Sequence, residues 1–230
     1  MRKISAVWKK QVKDTLKNKE VLIQFFLFPI VALVMSSAVK VPGMPENFFV
    51  TMFATMYVGM APLTAMSAIL AEEKEKNTLR VLLMSNVKAW EYMVGTGVYV
   101  WLVCMLGAVA FGLMGRYQGG EMALFLTIMG FGILASLTIG AAIGIWSRSQ
   151  MGATSISVPA MMIFAFLPMI SMFNEAVAKV SRFTYSQQIS NLMGQIGAER
   201  MSGESILIIG VNMAAAAGVF WAAYRKCGLE

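Results

Sequence analysis

Six blocks of almost uninterrupted apolar sequence dominate this chain: Val21–Val39, Phe48–Ala71, Tyr92–Met114, Met122–Trp146, Ile156–Phe173 and Ile206–Tyr224. A helix rises 1.5 Å per residue, so a hydrocarbon core of about 30 Å takes roughly 20 residues to cross. Each block has about that length, and its apolar residues neither alternate nor form a single stripe. With 58% hydrophobic and 13% charged residues, the chain falls far below the roughly 25% charged residues of soluble domains. The expectation is an all-α polytopic membrane protein: one domain over residues 1–230 with six transmembrane helices and no room for a separate soluble domain.

Several chemistries are missing. The sequence has no histidine, which removes the commonest general base, the Ser-His and Cys-His pairs and the usual zinc ligands. Cys104 lies in the third block and Cys227 in the tail, too far apart on this layout for a structural disulfide. No G-x-x-x-x-G-K-[ST] loop is present, so nucleotide phosphates have no such cradle. Glu72-Glu73 resembles the EE-x-x-x-R of prenyl-processing intramembrane proteases, but Asn77 stands at the Arg position and the histidines are lacking; that enzyme reading is rejected. The residues give no catalytic, cofactor or metal site.

Orientation follows from Lys and Arg between the blocks. With a cytoplasmic N-terminus the inner side holds fourteen cations: Arg2, Lys3, Lys9, Lys10, Lys13, Lys17, Lys19, Lys74, Lys76, Arg80, Lys88, Arg148, Arg225 and Lys226. The outer side holds five: Lys40, Arg116, Lys179, Arg182 and Arg200. Both termini and the segment Glu72–Glu91 are therefore expected in the cytoplasm. The +7 net charge is then a matter of topology, and no nucleic-acid partner is expected. The basic lead is longer than a signal peptide's, and the first block exceeds a 7–15-residue signal core; an uncleaved first span is expected. Residues 1–19 place Ile4, Trp8, Val12 and Leu16 every fourth position with lysines on the other faces, the pattern of an interfacial helix on anionic headgroups.

Within the blocks, Pro29, Pro62, Pro159 and Pro168 each remove an amide donor and call for a neighbour to satisfy the freed carbonyl. Gly132, Ser136, Gly140 and Gly144 form a small-residue ridge in the fourth block, and Gly210, Ala214, Gly218 and Ala222 form one in the sixth. Both are expected to be helix-packing seams. Mid-span charges are almost missing, the polar candidates being residues such as Gln24, Ser67, Thr138 and Asn212. That argues against an ion-coupled carrier, while the 21 Met and 14 Phe supply a soft interior suited to irregular apolar ligands. The long connection 174–204 carries an apolar stripe, Ile189, Leu192, Met193 and Ile196.

Residues Glu72–Glu91 read EEKEKNTLRVLLMSNVKAWE, a charged segment held between two spans. Glu73, Thr78, Leu79, Leu82, Leu83, Ser85, Val87 and Glu91 resemble the RE-x-x-x-GTLE-x-LL-x-SPV-x-x-x-E pattern of type-2 ATP-binding-cassette exporter permeases, with Asn77, Arg80 and Asn86 standing where Gly, Glu and Pro are usual. The resemblance implies that 72–91 is a coupling helix seated in a cleft of a separate ATPase subunit, which binds the ATP and Mg²⁺. Leu79, Leu82 and Leu83 would anchor it, and Glu72, Glu73, Lys74, Glu75, Lys76 and Arg80 would make polar contacts; the bland reading of those charges is a solvated helix with pairs such as Glu72–Lys76. It further implies an N-terminal elbow helix, short outer helices within 174–204, a bacterial plasma-membrane location, and a second permease copy, most simply as a homodimer. The path is expected along spans two and five, with Met52, Met56, Met60, Met161, Met162, Phe164 and Phe166. The expected cargo is amphipathic or hydrophobic: small membrane-active peptides first, with drugs or lipid-like molecules as alternatives. The rival from another class is a non-transporting membrane assembly or sensor protein.

The topology is open to direct test. Cysteine-accessibility labelling should reach positions 40–47 and 175–200 from outside and position 80 from inside; labelling of position 80 from the outer face would sink the orientation.

Overall fold

The computed structural model describes residues 8, 19–39, 45, 47–78, 88–197 and 202–226. They form eight helices: α1 (Lys19–Ala38), α2 (Phe48–Glu75), α3 (Ala89–Met114), α4 (Gly120–Trp146), α5 (Gln150–Ser171), α6 (Glu175–Ser181), α7 (Tyr185–Gly194) and α8 (Gly203–Lys226). Among the described residues there is no strand. By length and composition α2, α3, α4, α5 and α8 can cross a membrane, and α1 contributes a shorter apolar stretch, Phe25–Ala38. The interfacial helix expected over residues 1–19 lies outside the described residues, Trp8 and Lys19 excepted.

One expected boundary moves. The fifth helix begins at Gln150, not Ile156, because Gly152, Thr154 and Ser155 lower the hydropathy without opposing helix. The Ser149 hydroxyl accepts the Gly152 N–H at 3.1 Å, an N-cap bond. The Thr154 and Ser155 hydroxyls donate to the Gln150 and Met151 carbonyls, both at 2.9 Å.

α2 is the axis of the bundle, buried along most of its length. Its Tyr57, fully buried, meets Phe28 of α1 edge-on and Phe111 of α3, and its hydroxyl donates to the Cys104 carbonyl at 3.3 Å. The fourth-span ridge is the seam against α2, as expected. A Cβ at Gly132 would stand 2.7 Å from Val58 Cγ1, one at Gly140 would collide with the Leu63 carbonyl, and one at Gly144 would lie 2.9 Å from the Ser67 carbonyl. On the other side Gly59 meets the α5 backbone, where a Cβ would lie 2.8 Å from Phe164 O and Ala165 N. Lipid offers helices no hydrophobic drive to associate, so backbone proximity of this kind is what holds them.

The proline in α2 explains the one polar member of the ridge. Pro62 cannot donate to the carbonyl of Val58, four residues back. The Ser136 hydroxyl donates to that carbonyl instead, at 2.5 Å. Its single proton is thereby used, so the Tyr185 hydroxyl, 2.7 Å from Ser136 Oγ, is the donor in that second bond. This relay pins α7 to α4 and α2. The apolar stripe of the long connection docks there too: Ile189, Leu192 and Met193 are buried, with Ile189 against Gly132.

The ridge expected in the sixth span behaves differently. Gly210, Ala214, Gly218 and Ala222 are exposed, and a Cβ at Gly210 or Gly218 would meet nothing within 4 Å. α8 packs through Ile209, Ala216 and Ala223 instead. Small residues permit a seam but do not choose the face; here the larger aliphatic Ile209 sets the buried side.

A double-mutant cycle isolates the Val58 carbonyl. Ser136→Ala should cost about 1–3 kcal/mol by stranding buried polar groups. In a Pro62→Ala background, which restores the missing amide, the same change should cost about 1 kcal/mol less. Reversible unfolding in mixed micelles measures both; equal costs would refute the assignment.

Candidate functional site

The charged segment begins as the last turn of α2. The helix closes with Lys76 N–H on Glu72 O at 2.9 Å and Asn77 N–H on Lys74 O at 3.1 Å. Asn77 then adopts φ 55°, the left-handed conformation that Gly takes readily and Asn tolerates. Asn77 thus fills the role of the glycine usual at that place in the pattern. Glu72 to Glu75 are continuous with span two, and Ala89 to Glu91 open span three. Leu79, Arg80, Leu82, Leu83 and Ser85 lie outside the described residues.

The charges around this turn have distinct destinations. Glu72 pairs with Lys76 in an i,i+4 contact; Lys76 is 64% exposed, so the pair contributes little, about 0.3–0.5 kcal/mol. Glu73 is buried and accepts the Thr78 hydroxyl on its carboxylate. Lys74 reaches across to α4, where its ammonium donates to the Ile145 carbonyl. Glu75 reaches α5, where its carboxylate accepts the Gln150 N–H at 2.7 Å. Ile145 lies in the last turn of α4 and Gln150 is the first residue of α5, so the two bonds fall on the C-terminal end of one helix and the N-terminal end of the next. The signs match as well: a cation at a helix C-terminus and an anion at an N-terminus are each favoured by the helix dipole. Two adjacent residues of α2 therefore clamp both sides of the turn between α4 and α5. Beside the clamp opens a cleft of about 660 Å³, lined by Glu75, Gln150, Met151, Thr154, Ser155, Val158 and Pro159.

At the start of span three, Glu91 accepts the Lys88 N–H at 2.9 Å, the carboxylate half of a capping box. Exposed Trp90, Trp146 and Trp221 stand near these same helix ends. The Arg225 guanidinium lies 4.0 Å from the Trp221 ring and Lys226 Nζ 5.0 Å from the Trp146 ring. The ends of α2, α4 and α8 and the starts of α3 and α5 thus share one face, banded by indoles and cations as at a membrane interface.

The residues expected to line a path differ in their surroundings. Spans two and five do lie side by side, joined at Gly59 and by Ser67 Oγ to Ser157 Oγ at 2.7 Å. Met56 is buried; Met52, Met60, Met161, Phe164 and Phe166 are half-buried; Met162 is exposed. Phe164 lines a cavity of about 460 Å³ shared with Ile139, Trp146 and Asn212 and packs on Tyr185 at 4.9 Å.

Sequence reasoning missed Ile145 and Gln150 as the partners of Lys74 and Glu75. The signal available was the polar break Ser147-Arg148-Ser149, an N-cap preceding a hydropathically weak helix start.

A long buried helix, flanking spans in close backbone contact and a charged turn on one face define a multi-pass helical membrane protein. Residues 43–225 match the family described as ABC-2 family transporter protein, and the chain belongs to that family. It is accordingly the membrane permease part of an ABC-2 transporter, a domain without an ATPase site of its own, and its family implies an ABC ATPase as partner. No curated protein matches the sequence.

The clamp predicts a local readout. Glu75→Ala should cost about 0.5–1 kcal/mol at the α5 N-terminus and speed hydrogen exchange of the Gln150 amide several-fold. Unchanged exchange at Gln150 would mean the carboxylate does not cap α5.

Proposed function

We propose that this chain is one half of an ATP-driven exporter, with six spans counting α1, in which segment 72–91 takes up the movement of a separate ATPase. The observation that carries this reading is the clamp. Lys74 and Glu75 stand at the head of the segment and bond directly to α4 and α5, so a displacement there is delivered to three spans together. In this reading Leu79, Leu82 and Leu83 seat the segment in the ATPase, Glu72, Lys76, Thr78, Arg80 and Ser85 contribute contacts around them, and Glu91 fixes the start of α3. The shared face of indoles and cations is the cytoplasmic one, supported by the charge bias of the loops, and the membrane is the bacterial plasma membrane.

A second copy completes the unit. The path runs along α2 and α5, and the scarcity of charge in the spans suits amphipathic or hydrophobic cargo, small membrane-active peptides first among them. Selectivity by size and amphipathicity follows where the spans hold so little charge to pair with the cargo.

Two double variants separate docking from transmission. Leu79→Asp with Leu82→Asp should abolish co-purification with the ATPase while membrane insertion persists. Lys74→Met with Glu75→Gln should keep the complex yet lower ATP-dependent export of an amphipathic peptide from vesicles about tenfold. If the leucine pair leaves ATPase affinity unchanged, the coupling role is wrong.

A further inference from the structure

Between α3, α4 and α8 runs a groove of about 620 Å³, well within the size of sites that hold small ligands. Its walls are apolar and aromatic, with Trp90, Trp101, Trp221 and Tyr224 prominent. Trp90 and Trp101 lie on one helix, so the groove extends about 16 Å along α3 at 1.5 Å per residue. That is half of a hydrocarbon core of about 30 Å, the depth of one leaflet. The wall at Gly97 is open: a Cβ there would meet nothing within 4 Å. The mouth is cationic. Arg225 sits 4.0 Å over the Trp221 ring, and exposed Lys88 precedes Trp90. A guanidinium stacked on an indole keeps its edge donors for an oxyanion, in the planar fork that matches phosphate. Glu91, the carboxylate next to Trp90, caps the start of its own helix.

We infer that this groove is a binding site for one anionic phospholipid from the leaflet on the Trp90–Trp221 side. One acyl chain lies along Gly97 and Trp101, and the phosphate rests on Arg225 and Lys88. Charge at the mouth, aromatic rings at the depth of the interface and a length of one leaflet are together the complement of such a molecule. The site is separate from the Lys74–Glu75 clamp and does not rest on the coupling reading.

The test uses the full chain, delipidated in mild detergent and titrated with dioleoylphosphatidylglycerol or dioleoylphosphatidylcholine under native mass spectrometry. The anionic lipid should bind in preference to the zwitterionic one. Arg225→Gln and Lys88→Gln should each weaken it roughly fivefold, the scale of one interfacial cation, with Arg225→Lys intermediate. Gly97→Phe, which fills the groove, should remove the tight-binding lipid while thermal unfolding stays cooperative. Should that variant misfold, Val98→Trp on the same wall is the substitute. Retention of the anionic lipid by the groove-filled variant, or equal retention of both lipids by the wild type, would overturn the assignment. So would loss of self-association in the filled variant with lipid binding intact, since the groove would then be seating a second copy of the chain.

Discussion

The carbonyl of Val58 sits in the middle of a buried helix without the amide that an ordinary residue at position 62 would provide. In hydrocarbon an unsatisfied backbone carbonyl costs several kcal/mol, so the bundle has to bring a donor to it. Ser136 does so at 2.5 Å, and much of the architecture follows. A side chain as short as serine reaches that carbonyl only if the helices nearly touch. This requires Gly132, Gly140 and Gly144 on the rest of the same face, because any Cβ at those places would run into α2. With its proton spent on Val58, Ser136 can only accept, and the Tyr185 hydroxyl donates to it and draws α7 into the bundle. On the opposite side of α2 a second proline frees a carbonyl. Pro168 leaves the Phe164 carbonyl without its amide, and Gly59 is where that carbonyl faces α2, with no Cβ to obstruct it.

How much of this could be read from the chain depends on which forces are local. The blocks were legible because a bilayer imposes length and apolarity on every span. The fourth-span ridge and the Ile189–Met193 stripe were legible because periodicity records a buried face wherever the partner is close-packed. The same spacing at Gly210, Ala214, Gly218 and Ala222 faces no helix among the described residues of this chain, since spacing says that close approach is permitted and nothing about which partner uses it. The start of α5 was misplaced because Ser149 and the hydroxyls after it speak through hydrogen bonds, which hydropathy does not register. In the charged turn, the i,i+4 pair Glu72–Lys76 was visible. The bonds of Lys74 and Glu75 to residues more than seventy positions away were not, because their partners are backbone groups with no signature in the side-chain sequence.

The contacts also divide the molecule mechanically. α2, α4 and α5 meet backbone to backbone, and such interfaces transmit displacement because close-packed interiors have little compressibility. The clamp adds a polar tie at one end of the same three helices. α8 is held differently. Cavities of about 460 and 620 Å³ flank it, and its small-residue ridge faces open space. In the proposed cycle, α8 is the element against which the α2–α4–α5 unit shifts.

That division ties the lipid site to the proposed transport cycle. A lever formed by segment 72–91 has no use for compliance inside α2, α4 and α5, because yielding there would absorb the stroke. It does need compliance somewhere, and the joint between α3, α4 and α8 is where the structure leaves it. An acyl chain in the groove at Gly97 occupies that joint and supplies the dispersion contacts that the empty wall lacks. Arg225, the cation at the mouth, belongs to α8, while Lys88 precedes α3 and Trp90 opens it, at the far end of the proposed segment 72–91. A phosphate shared by the two would link α8 to the point where the proposed stroke enters the third span. The composition of that leaflet would then act on the permease at its softest joint, through a tie made by lipid in place of protein.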